Sequence, residues 1–393
     1  MSRPRLRLPD GIDRACFLRD YWQQRPLLMR AALPPEAFAL APDELAGLAC
    51  EAEFESRLII ERESSARKLA HGPFDDADFA RLPDTHWTLL VQDVDKFIPE
   101  VAQLIDAFDF VPSWRIDDIM ISYATDKGGV GPHTDAYDVF LMQALGRRRW
   151  RLSYRDYTDD DLVPGLEQRI LATFDTDEEW ILEPGDILYL PPGIAHWGIA
   201  EGDCMTYSLG FRAPSQQEIA ADWFQHLVGL TARQRLEDPR DLHIGSMAEL
   251  TQGVAQNAAR LLADLPSTDS LEFRIWLGEY LTEAKPQFQI LPPDEAWDAD
   301  RLHHWLVGGR DLIRHPFARM AWMPFADGRV ALFCQGQSRL LPGGLQDAVR
   351  LVAEQRTLPA SALALLRTEE AVQMLLALLN EGILEAEDGE SWS

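Results

Sequence analysis

Between Trp87 and Phe211 the chain alternates short apolar runs with clusters of Gly, Pro and Asp. The runs Trp87–Val91, Asp118–Tyr123, Val139–Leu145, Arg148–Tyr154, Trp180–Leu182, Ile187–Leu190 and Met205–Phe211 have the length and alternation of strands. No long helix-period segment lies between Asp117 and Arg212. That argues against a doubly wound α/β sheet and predicts a sandwich or barrel after a mixed start, with residues 1–212 as one mainly β domain.

The pattern changes at Pro214. Ser215 with Glu218 forms a capping box, and Ile219, Trp223, Phe224 and Leu227 then recur at helical spacing. A second box, Ser246 with Glu249, opens a helix through Leu261 and Leu262, and a third helical stretch runs from about Ser270 to Ala284. Helices of this size bury little by themselves, so residues 213–290 need cover from the β domain or from a second copy. The proline-rich stretch Lys285–Pro293 leads to residues 291–393. There Val330–Cys334 and Ser338–Leu341 read as a hairpin, and Leu345–Glu354, Pro359–Leu366 and Glu369–Glu381 as short helices, compatible with a winged-helix-like α+β module.

Charge narrows what these surfaces meet. The 393 residues carry a formal net charge of −27, which repels nucleic acid phosphates and attracts a cationic partner, although solubility alone also accounts for it. The last module holds nine basic and fifteen acidic side chains, a poor surface for DNA, and reads as a protein-contact or structural unit. No apolar run approaches the roughly 18 residues of a membrane span. Met1–Asp10 lacks a following apolar stretch, so no secretory signal is read, and the four scattered cysteines suit a reducing cytoplasm.

The chemistry centres on Gly131-Pro132-His133-Thr134-Asp135, with His196 61 residues beyond Asp135. In an extended segment His133 and Asp135 point to one face and can reach one metal. Two imidazoles and one carboxylate leave open positions on an octahedral ion, the facial triad of non-haem iron(II). An HxD pair alone is weak, and a surface-loop histidine is the plainer reading for His71, His86, His303 and His304. His196 strengthens the metal reading because it follows a turn, a strand and a tight Pro191-Pro192-Gly193 turn, and so begins a new strand.

Arg148 adds a second element. It lies in Gly146-Arg147-Arg148-Arg149-Trp150, where alternation sends it to the face opposite Arg147 and Arg149. An inward guanidinium in a small barrel needs a carboxylate partner, which a bound dicarboxylate such as 2-oxoglutarate supplies bidentately. Ser122 offers a hydroxyl to the same carboxylate, or is a plain strand serine. Gly128-Gly129-Val130-Gly131 lacks the strand-to-helix context of a phosphate loop and reads as a flexible turn bringing backbone near the metal.

These residues resemble a known family. Ile121-Ser122, Gly128 through Phe140, Gly146 through Trp150, Leu182 through Gly193 and Tyr207 through Arg212 are similar to the bacterial ribosomal oxygenases of the JmjC group. The likeness is dense from about Asp117 to Pro214 and looser beyond. It implies a cupin-like double-stranded β-helix, a helical dimerisation region and a winged-helix domain. It also implies iron(II) at His133, Asp135 and His196, and 2-oxoglutarate at Arg148 with help from Ser122, beside the metal ligand His133. Dioxygen is the other cosubstrate. Thr134 departs from the larger apolar residue expected between the ligands, at a position pointing away from the metal.

The implied activity is hydroxylation of an arginine β-carbon in a large-subunit ribosomal protein. The acidic charge suits a basic substrate, the apolar helical faces suggest a homodimer, and charge, hydropathy and cysteine usage point to a cytoplasmic protein that binds neither DNA nor membrane directly. Tyr137 and Asp138 are candidates for substrate contact, or rim residues. Alternatives are hydroxylation of a ribosomal histidine, or a non-catalytic adaptor that keeps the barrel as a relic. A cupin isomerase or dioxygenase without 2-oxoglutarate would not need the inward Arg148. Histone demethylation ranks below these, because no chromatin-reader module is evident.

Overall fold

Two long strands organise the first half of this protein, and each turns a corner. In the computed structural model, which describes residues 4–61, 67–232, 234–238, 248, 250–263, 265–363, 366 and 368–386, the contacts divide the chain into Met1–Ala213 and Pro214–Ser393. The first unit contains β1 (Leu27–Met29), β2 (Ser56–Glu61), β3 (Arg67–His71), β4 (Trp87–Val91), β5 (Ile116–Ala124), β6 (His133–Thr134), β7 (Val139–Ser153), β8 (Glu178–Leu182), β9 (Ile187–Leu190) and β10 (Ala195–Phe211).

The first part of β7 pairs with β9 and with the end of β10, within a layer ordered β1-β9-β7-β10-β5-β4-β2-β3. The second part of β7 pairs with β8 and with the start of β10, and β6 joins β10 there. The result is a double-stranded β-helix. Val139–Leu145 and Arg148–Tyr154, expected as two strands, are one. Gly146 at φ +62 bends the strand without ending it, and a Cβ there would run into the Asp203 backbone. The expected strand Met205–Phe211 likewise begins at Ala195, because polar Glu201-Gly202-Asp203 forms the matching corner, where the register shifts.

Alternation decides which side chains face inward. Val139 and Leu141 join Trp150, Leu152, Leu182, Leu188 and Leu190 in a cluster between the layers. Phe140 and Met142, one position out of phase, pack with Ile187, Tyr189, Phe211, Phe17 and Phe108 on the outer face, under helical segments that include Arg14–Asp20. Each such fully buried side chain contributes about 1.5–3 kcal/mol.

The second unit begins as expected. Ser215 Oγ accepts from Glu218 N–H at 3.1 Å and Glu218 Oε2 from Ser215 N–H at 2.6 Å, capping the helix Gln216–Leu230. The second expected box, Ser246 with Glu249, lies outside the described residues, although the helix Gln252–Ala263 is present. In the helix Leu271–Thr282, Trp276 packs with Trp223 and Leu227. Ile275 of the same helix packs against Phe325, Ala331 and Phe333. The helical and winged-helix stretches therefore share one unit. The hairpin of Arg329–Cys334 with Gln337–Pro342 sits in a three-stranded sheet with Met320–Pro324.

Candidate metal centre

β6 is two residues long, and its pairing sets His133 opposite His196 on β10. The imidazole centroids are 4.3 Å apart. The Asp135 carboxylate faces both rings, with Oδ1 3.9 Å from His133 Nε2 and Oδ2 3.6 Å from His196 Nε2. Atoms that each bind one ion at about 2.1 Å can be no more than about 4.2 Å apart, so both separations suit a shared metal. Among the described residues this is the single His, Cys, Asp or Glu cluster that brings three ligand atoms within 4.8 Å of one another.

The backbone orients both rings. His133 Nδ1 lies 2.8 Å from the Gly131 carbonyl and His196 Nδ1 3.0 Å from the Ile194 carbonyl. A carbonyl only accepts, so Nδ1 carries the proton and Nε2 keeps its lone pair toward Asp135. Gly131 reaches this geometry at φ +98. Burial first, and then repulsion by His133, pushes His196 down to about 4, so it stays neutral at physiological pH, the form that coordinates a metal.

Arg148 faces inward as alternation requires and is 3% exposed. Arg147 and Arg149 turn outward, Arg147 to Glu183 and Glu201, Arg149 to Glu179 and Glu201. Arg148 Nη1 donates to Ser122 Oγ at 3.1 Å and to Thr206 Oγ1 at 3.3 Å, while its Nε is buried with no partner. Among the described residues no carboxylate pairs with this guanidinium, and burial alone lowers its pKa. A charge buried among hydroxyls costs several kcal/mol unless an anion joins it. The indole Nε1 of Trp150 is likewise buried without a partner, and its ring lies between the Arg148 guanidinium (5.1 Å) and the His196 ring (5.8 Å). Orphaned donors beside a His–Asp–His cluster fit a metal ion together with an anionic cosubstrate.

The sequence reading missed Trp150, Thr206, Gln143 and Gly198. Trp150 was within reach, because it stands two residues beyond Arg148 on the same face. Thr206 lies opposite Ser122 on the neighbouring strand, and its hydroxyl donates to Gln143 Oε1 at 3.1 Å, so both depend on register. Gly198 matters because a Cβ there would stand 2.7 Å from the Trp150 ring and 2.8 Å from Arg148 Nε. The glycine run before the ligands approaches backbone closely: Gly128 lies against Trp87 and Gly129 against Gly198.

The two substrate candidates part company. Tyr137 is 42% exposed, and burial of its phenol, then the carboxylates of Asp135, Asp118 and Asp117, raise its pKa. Asp138 is 0% exposed, ion-paired to Arg115 at 2.9 Å and accepting from Tyr189 OH at 2.6 Å. It offers no surface to a substrate, because Arg115 and Tyr189 converge on its carboxylate just before β7 begins.

Known proteins share these features. Residues 103–219 match a model of the JmjC domain, 260–385 a ROXA-like winged helix and 174–270 an AraC-like ligand-binding domain. The chain is 36% identical over 300 residues to the ribosomal protein uL16 3-hydroxylase of Escherichia coli K12, covering 76% of this chain and 79% of that one. It is 40% identical over 212 residues to a probable ribosomal oxygenase of Haemophilus influenzae, covering 53% of this chain and 52% of that one. The structure of YcfD, a ribosomal oxygenase from Escherichia coli, in complex with cobalt and 2-oxoglutarate superposes with a TM-score of 0.79 at 31% identity, covering 98% of this chain and 99% of that one. An X-ray structure of the Escherichia coli protein gives 0.82 at 30% identity, covering 98% and 100%.

Proposed function

The chain belongs to the bacterial JmjC ribosomal oxygenases, and on that premise we propose that it hydroxylates the β-carbon of an arginine side chain in a large-subunit ribosomal protein. It is an iron(II)- and 2-oxoglutarate-dependent dioxygenase. His133, Asp135 and His196 would hold the iron, and Arg148 with Ser122 would hold the distal carboxylate of 2-oxoglutarate. The observation that carries this reading is the buried Arg148 guanidinium, with which no carboxylate pairs among the described residues.

When metal and cosubstrate are bound, the chemistry supplied is oxidative decarboxylation of 2-oxoglutarate coupled to insertion of one oxygen atom into an unactivated C–H bond. The chain orients and shields. Gly131 and Ile194 carbonyls fix the imidazoles, Ser122 and Thr206 hold Arg148 in one rotamer, and Trp150 keeps water from its flank. Tyr137, in the field of the Asp135, Asp118 and Asp117 carboxylates, is a fitting rim contact for a cationic side chain, which favours arginine over a neutral residue.

The assembly belongs to the same reading. Phe224 (65% exposed), Val228 (64%) and Leu262 (66%) leave apolar surface on the helices of the second unit, which supports a homodimer. The four free cysteines suit the cytoplasm, where ribosomal proteins are made, and no described helix is long and apolar enough to cross a membrane. The acidic winged-helix stretch supports protein contact in place of DNA binding. Intact mass spectrometry of ribosomal proteins incubated with the enzyme, iron(II) and 2-oxoglutarate tests the function. One added oxygen on an arginine of a large-subunit protein is expected. Modification of a histidine alone, or succinate release that no ribosomal protein stimulates, would overturn it.

A further inference from the structure

We infer that Asp138 is a positioning residue for the metal ligands, its buried carboxylate setting where the Asp135 loop can stand. The inference rests on the assignment of His133, Asp135 and His196 as iron ligands. Asp135 stands between β6 and β7, where the backbone is held by Gly193 N–H on the Asp135 carbonyl (2.8 Å) and by Phe211 N–H on the Asp138 carbonyl (3.1 Å). Only Ala136 and Tyr137 separate the two, and three residues of chain span at most about 10 Å, so the place of Asp138 limits where Asp135 can stand.

The anchor gathers three distant parts of the chain. Arg115 Nη2 donates to Asp138 Oδ2 at 2.9 Å, Tyr189 OH to Oδ1 at 2.6 Å, and Gln23 Nε2 to Oδ2 at 3.4 Å. Tyr189 OH in turn accepts from Gln23 N–H at 2.7 Å, with Gln23 held at φ +60. Trp22 stacks on Tyr189 at 5.6 Å and lies under the Arg115 guanidinium at 5.2 Å, while Arg115 Nε donates to the Arg212 carbonyl at 3.0 Å. A fully buried carboxylate with this many donors holds one orientation, and so does the turn that ends on it.

A merely structural ion pair would affect stability alone. Asp186 supplies the comparison, being 5% exposed and accepting from Arg30 Nη1, Ala31 N–H and Glu183 N–H outside the ligand loop. The test is titration of the metal-free full chain with Co(II), together with melting temperature. Asp138→Asn should weaken Co(II) binding about 10-fold, the scale seen when an outer partner of a metal ligand is lost. Tyr189→Phe keeps the carboxylate, removes one donor and should weaken binding less, in the same direction; it decides the matter if Asp138→Asn does not fold. Asp186→Asn should lower the melting temperature at wild-type Co(II) affinity. Wild-type affinity in both Asp138→Asn and Tyr189→Phe, or an equal loss in Asp186→Asn, would overturn this inference while leaving the ligand assignment intact. Binding by the wild-type chain no tighter than by His133→Ala would overturn both.

Discussion

Arg148 donates to the Ser122 hydroxyl across 3.1 Å, while its equally buried Nε meets no acceptor. The side chain is thus held in place by neutral groups and leaves its charge for a ligand. Arg148→Ala should raise the KM for 2-oxoglutarate by about 10- to 100-fold, the worth of a charge-assisted hydrogen bond, with a smaller effect on kcat. Arg148→Lys should fall between, since an ammonium restores charge without the planar fork. Succinate release against 2-oxoglutarate concentration measures both, and an unchanged KM in Arg148→Ala would remove the arginine from the cosubstrate site.

The proposed ligand set of His133, Asp135 and His196 predicts an all-or-none loss. His133→Ala and Asp135→Ala should each abolish 2-oxoglutarate turnover, because two remaining ligand atoms cannot hold the ion in its open geometry. A chelator should do the same to the wild-type chain, and added iron(II) should restore it. Full activity in His133→Ala contradicts the assignment.

Gly198 packs closely against Trp150 and Arg148, the side chain proposed to hold the cosubstrate. Gly198→Ala places a methyl against the Trp150 ring and Arg148 Nε, both of them buried. A loss of about 1–3 kcal/mol of stability is expected, together with weaker 2-oxoglutarate binding. Chemical denaturation and a 2-oxoglutarate titration check the two halves, and an unaltered protein would mean that Trp150 yields freely.

Phe224 sits on the helix Gln216–Leu230 at 65% exposure while Trp223 beside it is buried. Light scattering should give a dimer at micromolar concentration for the wild-type chain and a monomer for Phe224→Asp combined with Val228→Asp. A wild-type monomer would leave these side chains as ordinary exposed surface.

Much of the site was legible in residue types and spacing. His133 and Asp135 stand two apart, His196 follows a Pro-Pro-Gly turn, and alternation alone turned Arg148 away from Arg147 and Arg149, as its 3% exposure bears out. The Ser215 cap and the hairpin at Arg329–Cys334 were likewise local, since capping and turn chemistry act within a few residues.

Other features depended on partners far away in sequence. Polar Gly146-Arg147 and Glu201-Gly202-Asp203 look like strand ends, yet they bend continuous strands because each corner packs against the other. Asp138 reads as a rim residue until Arg115 and Tyr189 converge on it. Thr206 and Trp150 gain their roles from the register that sets one opposite Ser122 and the other between Arg148 and His196. Short-range spacing thus determined which side chains can ligate and which face they take. Only long-range strand pairing decided which donors are left unpaired beside them, because hydrogen-bond satisfaction belongs to the assembled barrel and not to any segment of it.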